Sequence, residues 1–344
     1  MDITLQRNGL TAIVDTKGAE LKSLKDAEGT EYIWHGDSAY WPGRNPVLFP
    51  IVGNLKDGKV RCGDKEYEMN RHGFGRDLEF WELDTEPQEQ APDMGMMGMM
   101  GMDQDRDLEE EIMGGGSLMG GGLGGFMGGM MKPKKVVISD SATLQLHHSH
   151  ETMMKYPYPF DFYVKHQLND DGYTTTYLVE NLGIDTMPFC IGAHTGFNCP
   201  LHEGESFSDY ELVFSEEETC PTTLLNEKGL VSGEKKAFLE GTKVLPLSYE
   251  PFAQLDTLIF EGLKSKEVTL RHKETGHGVT MDFHQFPVLA FWTKGAQEAP
   301  FLCIEPWMGY AAVEGESGKF EDKPYVTVLQ PGECMQMSFT VKLH

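Results

Sequence analysis

The chain has 344 residues, enough to bury a large core in one big domain or two smaller ones. Its formal charge of -25 at pH 7 argues against nucleic acid or an anionic membrane as the main partner, and an anionic substrate would need a local basic pocket against that field. The opening Met1–Gly9 lacks the basic and apolar regions of a signal peptide, and no run reaches the roughly eighteen apolar residues of a membrane span.

Strand patterning begins at once. Ile3 to Gln6 and Leu10 to Val14 flank Asn8-Gly9, a strong marker of a two-residue hairpin turn. Glu20 to Lys25 and Tyr32 to Trp34 read as further strands, separated by an Asp26-Ala27-Glu28-Gly29 turn. The run Arg44-Asn45-Pro46-Val47-Leu48-Phe49-Pro50-Ile51-Val52-Gly53 is apolar and its prolines forbid a helix, which predicts buried, partly irregular backbone. Arg44 at its entrance is either a solvated charge or a guanidinium directed into a cleft. Arg71-His72-Gly73-Phe74-Gly75-Arg76-Asp77 follows. Its glycines let the backbone approach a ligand closely, and its side chains donate to hydroxyl or phosphate oxygens.

Residues from about 88 to 135 break the pattern. Asp93 to Met131 holds 13 glycines and 11 of the chain's 20 methionines, with an acidic knot of Asp103, Asp105, Asp107, Glu109, Glu110 and Glu111. Its apolar residues follow neither a strand nor a helix period, and glycine makes ordering costly. The stretch reads as a disordered or weakly ordered insertion in a loop between strands. The alternative is a copper(I) site built on the thioethers of Met94, Met96, Met97, Met99, Met100 and Met102. Against it, such stretches are also found as sticky surface, and the cytosol supplies little free copper.

Strands resume with Val136 to Ser139, Ala142 to Leu146, Phe160 to Leu168 and Tyr173 to Glu180. His147, His148 and His150 cluster without a cysteine or carboxylate at ligand spacing, so they read as a solvated strand end. In Pro188 to Leu201, His194 follows an apolar strand between glycines. That setting either exposes an imidazole to a cleft or holds a hydrogen-bonded core histidine. Val268 and Leu270 pair with Val279, Met281 and Phe283 across a turn at Glu274 to Gly278.

Phe301 to Ile304 reads as a short strand that Pro306 stops, which puts Glu305 at the strand end beside Pro306-Trp307. A carboxylate next to an indole in a partly apolar mouth has its pKa raised toward the range useful for general acid/base work. A surface glutamate at a strand end is the other reading. The last segment, Met335 to His344, alternates with period 2. Helical periodicity is scarce, so the class is all-β, most simply a large antiparallel β-sandwich. Cys62, Cys190, Cys199, Cys220, Cys303 and Cys334 are scattered with no CxxC pair and read as reduced thiols of a cytoplasmic protein.

These segments, in this order, resemble the aldose 1-epimerase (galactose mutarotase-like) family, most closely its branch associated with bacterial lactose and tagatose operons. The motifs that carry the resemblance are Arg44 to Gly53, His72-Gly73-Phe74-x-Arg76-Asp77, Tyr158-Pro159-Phe160, Ile191-Gly192-Ala193-His194-x-Gly196-Phe197-Asn198, Asp256 before Leu258-Ile259-Phe260, and Cys303-Ile304-Glu305-Pro306-Trp307-x-Gly309. The resemblance implies one supersandwich domain over residues 1–344, interrupted by the Met/Gly-rich insertion at about 88–135. It implies an isomerase that interconverts α and β anomers of a hexose, with His194 as acid and Glu305 as base on either side of the anomeric centre. Arg44, His72, Arg76 and Asp256 would bind the sugar, against Trp292 or Trp307. No metal or organic cofactor is implied, and the partner is a small-molecule sugar taken by a monomer or homodimer in the cytoplasm. Thr195 stands where the family usually has proline, which would loosen His194. Gly75 replaces a common alanine, and Tyr310 to Val313 lacks an aspartate often found there.

Two alternatives stay open. A hexose-6-phosphate 1-epimerase shares a similar His-Gly-Phe-x-Arg motif, and Arg44, Arg71 and Arg76 could clamp its phosphate. Two or more arginines converging at one end of the cleft would favour it, whereas Leu48 to Gly53 favours the operon branch. The other is a non-catalytic carbohydrate-binding module on the same sandwich.

Overall fold

Asp2–Arg7 and Leu10–Asp15 pair antiparallel around Asn8 and Gly9, whose φ angles are 47° and 85°. Positive φ at both central residues is what a two-residue hairpin of this hand requires, and asparagine-glycine is the pair that tolerates it. Glu20–Lys25 adds a third strand to this small sheet. The computed structural model describes residues 1–83 and 139–344. The Met/Gly-rich insertion and the methionine ligand set weighed for copper lie outside the described residues. The described residues belong to one compact unit, and residues 87–137 lie wholly outside the description.

Most other strands join one 15-stranded sheet. Its path runs from Val47–Leu48 through Ile191–Ala193, Phe301–Met308, Val288–Trp292 and Thr257–Glu261 to Tyr210–Leu225. It continues through Glu267–His272, Gly278–Asp282, Cys334–Leu343, Gly172–Asn181, Phe160–Leu168 and Ser141–His147 to Trp81–Leu83. Every registered pair along it is antiparallel. Alternate residues of Ser141–His147, Phe160–Leu168 and Cys334–Leu343 are buried, as the period-2 pattern demands. Among the described residues the only α-helices are His150–Met153 and Glu250–Leu255. The class is therefore the expected all-β sandwich. No helix among the described residues is long and apolar enough to cross a membrane.

Phe301–Met308 lies deep in this sheet and is buried on both faces. Leu302 and Ile304 point to the main core, while Phe301 and Cys303 pack with Trp34 on the opposite face. The strand does not stop at Pro306, contrary to the sequence reading. Pro306 stays in register with Leu289. On its other flank the neighbouring chain passes from Ile191–Ala193 to Thr195–Asn198, so the ladder is interrupted opposite Glu305 and Pro306. A residue without an amide hydrogen is tolerated where the ladder is already broken. Tyr32 to Trp34 also differs from expectation: it forms only an isolated bridge, Ile33 to Phe197, because no second residue continues the pairing.

His166 ties the small sheet to the large one. Its Nε2 lies 2.8 Å from the Ala19 carbonyl and its Nδ1 2.9 Å from the Thr175 hydroxyl. Burial lowers its pKa to about 4, with the Ala19 carbonyl opposing the shift. The unfolded chain therefore takes up a proton near the ordinary value of about 6.5 that the folded chain refuses. This stabilisation is complete above pH 6.5 and is lost as pH falls toward 4. We expect His166→Gln to remove roughly 3 kcal/mol of acid-dependent destabilisation across that window, read as a shallower fall of unfolding free energy with pH than wild type. Equal slopes for the two proteins would contradict it.

Candidate active site

The break in the ladder is where the chemistry-bearing residues meet. Gly192 pairs with Trp307 before the break and Thr195 with Ile304 after it, in one continuous register. That register sets His194 directly across from Glu305. Facing residues of antiparallel neighbours have their Cβ atoms about 5 Å apart, close enough for side chains to touch. His194 Nε2 lies 3.4 Å from Glu305 Oε1, with both side chains buried. Thr195 does not loosen this arrangement. Its hydroxyl donates to Asn45 Oδ1 at 2.7 Å, and its strand is held by Phe301–Met308.

Burial dominates the electrostatics. The Glu305 carboxyl is pushed well above the usual carboxylate range by desolvation; the Arg71 charge and the nearby Trp307 indole oppose the rise, and Asp256 adds to it. The His194 pKa falls to about 3, first through desolvation and then through the charges of Arg71 and Arg76. Both shifts favour the neutral forms, an imidazole beside a carboxylic acid, so the pair holds one proton between them. Among the described residues, His194 Nδ1, Glu305 Oε2 and Trp307 Nε1 find no hydrogen-bond partner. Leaving such groups buried and unpaired costs on the order of 1–3 kcal/mol each, which marks the site as one built to receive polar atoms from elsewhere.

His72 stands next to the pair, its ring centroid 5.7 Å from that of His194. Its backbone has φ 67°, and Gly73 follows at φ 74° with the Phe49 carbonyl oxygen only 2.2 Å from where a Cβ would sit. Glycine is therefore required at 73. The Gly53 amide faces His72 Nδ1 at 3.1 Å and Arg71 Nε faces Nε2 at 2.9 Å. Desolvation, with Arg71, His194 and Arg76, holds this imidazole neutral, and a neutral ring accepts at one nitrogen only. One of the two donors is thus left without a lone pair to meet.

The other residues singled out in the sequence are placed unequally. Arg76 donates to the Arg71 carbonyl at 2.9 Å, and its pKa is lowered by desolvation and by Arg71. Asp256 is exposed at the end of Glu250–Leu255, and its Oδ1 accepts from the Trp292 indole at 3.4 Å. Arg44 is not brought to the pair: its Nε donates to the His35 carbonyl at 2.9 Å. Two aromatic rings were partly or wholly missed. Trp41 lies over His194 with centroids 4.8 Å apart, and Trp292 meets it edge-on at 5.4 Å. Trp307, by contrast, is almost fully buried. Trp41 carried no motif; its only signal was an aromatic beside Pro42-Gly43. His194, Cys303 and Glu305 also offer ligand atoms that all lie within 4.8 Å of one another, the one such group among the described residues.

The long antiparallel sheet is an architecture of the galactose mutarotase type. A galactose mutarotase-like protein from Lactobacillus casei ATCC 334 is 26% identical with a TM-score of 0.80, each chain fully covered. A galactose mutarotase related enzyme from Lactobacillus acidophilus is 25% identical with a TM-score of 0.81, covering all of this chain and 97% of that one. The family model described as aldose 1-epimerase matches residues 1–96 and 129–342, and the chain belongs to that family. Protein LacX, in chromosomal and plasmid forms from Lactococcus lactis subsp. lactis, is 33% identical over 351 residues, spanning all of this chain and 99% of each relative.

Proposed function

We propose that this protein is an aldose 1-epimerase that interconverts the α and β anomers of a hexose. The observation that carries the reading is the register that puts His194 and Glu305 face to face, 3.4 Å apart, both buried. Anomerisation moves one proton off the C1 hydroxyl and puts one on the ring oxygen. The C1–ring-oxygen bond breaks as the C1 carbonyl forms, the C1–C2 bond turns, and the ring closes on the other face. Both oxygens are attached to C1. An acid and base standing side by side therefore serve as well as the flanking arrangement expected from the sequence.

In this scheme the shared proton first passes from Glu305 to His194; the Glu305 carboxylate then removes the hydroxyl proton as the His194 imidazolium protonates the ring oxygen, and closure reverses both transfers. The pair begins and ends with one proton. The neutral state that burial favours, imidazole plus carboxylic acid, is the one that the ring-closing half-reaction consumes. His72 would turn an N–H to a sugar hydroxyl, relieving its conflict with Arg71. Arg76 holds the Arg71 backbone, and Asp256 and Trp292 form a rim where hydroxyl and ring face are recognised. Six free cysteines support a reducing, cytoplasmic setting.

A second reading, an anionic hexose such as a 6-phosphate, is favoured by one observation. Arg71 and Arg76 both raise the positive potential at His72 and His194. Each also has a task without phosphate, since Arg71 faces His72 and Arg76 holds Arg71, and Arg44 does not join them. The free sugar therefore remains the leading substrate.

NMR of anomeric exchange on glucose, galactose and glucose 6-phosphate tests both readings. We expect acceleration of a free hexose, with Glu305→Gln losing on the order of 10²–10⁴-fold at unchanged fold. Acceleration confined to the phosphate would move the substrate to the second reading. Sugar binding without acceleration would leave a binding module. We further propose that the Met/Gly-rich stretch is a dispensable insertion, because the family match skips residues 97–128. Deleting about 92–132 should leave the melting temperature and exchange rate near those of the full chain, and a large drop in melting temperature would refute this.

A further inference from the structure

We propose that His194, Cys303 and Glu305 form a zinc-binding site that takes the ion in place of sugar. Cys303 and Glu305 are two apart on Phe301–Met308, so strand alternation turns both to one face, and His194 stands across from Glu305. Their ligand atoms lie within 4.8 Å of one another. Nitrogen, thiolate sulfur and carboxylate oxygen are a set that selects Zn²⁺ over Mg²⁺ or Ca²⁺. Bonds of about 2.0–2.3 Å around a tetrahedral ion put ligands roughly 3.3–3.8 Å apart, so the widest pair must close by about 1 Å.

Several features favour occupation. Glu305 Oε2 and His194 Nδ1 have no hydrogen-bond partner to surrender. In register, Cys303 faces Gly196, which adds no side chain against the sulfur. Three protein ligands leave a fourth position for water, as in open zinc sites. Charge also balances. Zn²⁺ would replace the protons of the Cys303 thiol and the Glu305 acid, both released to solvent, so the buried group stays near neutral. Arg71 weakens the attraction for a cation without removing it. Zinc held here occupies both members of the proposed acid/base pair and so blocks anomerisation. The binding claim stands by itself, whereas the inhibition claim rests on the proposed function.

Co²⁺ titrated into the full-length protein reads binding without any need for activity. Wild type should develop a near-ultraviolet thiolate-to-cobalt charge-transfer band that Zn²⁺ abolishes. Cys334→Ser, at the one exposed cysteine, should keep the band, and Cys303→Ser should lose it. Zn²⁺ affinity by calorimetry should fall by more than the roughly 10–100-fold typical of losing a residue that merely supports a ligand, in Cys303→Ser and equally in Cys303→Ala, should the serine variant fold poorly. A wild type without the band, or a band that persists in both Cys303 variants, would overturn the proposal. In the exchange assay, inhibition by Zn²⁺ should be relieved by added sugar and by Cys303→Ser. Binding without inhibition would refute the blocking role alone, and an inactive protein that still shows the band would fault the proposed function and not the metal site.

Discussion

The arrangement of the site depends on one gap in the hydrogen-bonded ladder beside Phe301–Met308. Deep in a sheet, strands normally satisfy each other's backbone and fill the space between with apolar side chains. Here the neighbouring chain gives up its pairing to this strand at Ala193 and His194 without losing register, and His194 is the residue set across from Glu305. Glu305 is held opposite by pairing with Ala290 on its other flank. Neither side chain needs a loop to position it, and both sit in a rigid frame, which is what acid/base geometry requires. Pro306 belongs to the same device, since a proline beside the gap forgoes no ladder bond there.

Taking a carboxylate and an imidazolium out of water together costs several kcal/mol per ion by general estimates, and a contact of 3.4 Å with few supporting bonds does not repay it. The pair resolves this by remaining uncharged. Its lowered imidazole and raised carboxyl have one common cause, burial, and differ in sign only because one group is charged when protonated and the other when not. Arg71 and Arg76 press protons away from His194, and Arg71 supports the carboxylate. Trp41 and Trp292 close the imidazole against solvent and keep the local dielectric low.

Much of this was legible in the sequence. Asn8-Gly9, the alternation of the terminal strand and the absence of helical periodicity follow from local rules, and each appears as read. The ordered motifs around His72, His194 and Glu305 named residues that the fold brings together. What local rules could not supply was register. That Glu305 faces His194 depends on pairing between segments more than a hundred residues apart, and the same pairing explains why Pro306 does not end its strand. Trp41 was invisible because a tryptophan in a Pro-Gly turn gives no periodic signal. The Arg44 motif likewise does not show that its Nε donates to the His35 carbonyl.

Under the proposed function the pair works with a single shared proton in a dry site. The pH dependence of kcat/KM for anomeric exchange reports the free enzyme's essential groups and tests this claim most directly. With the second proton refused down to about 3 at His194, the rate should stay flat from pH 7 to about 5 and decline only as alkali strips the raised Glu305 carboxyl. A rate that falls about tenfold per unit below pH 6.5, the ordinary imidazole value, would contradict it.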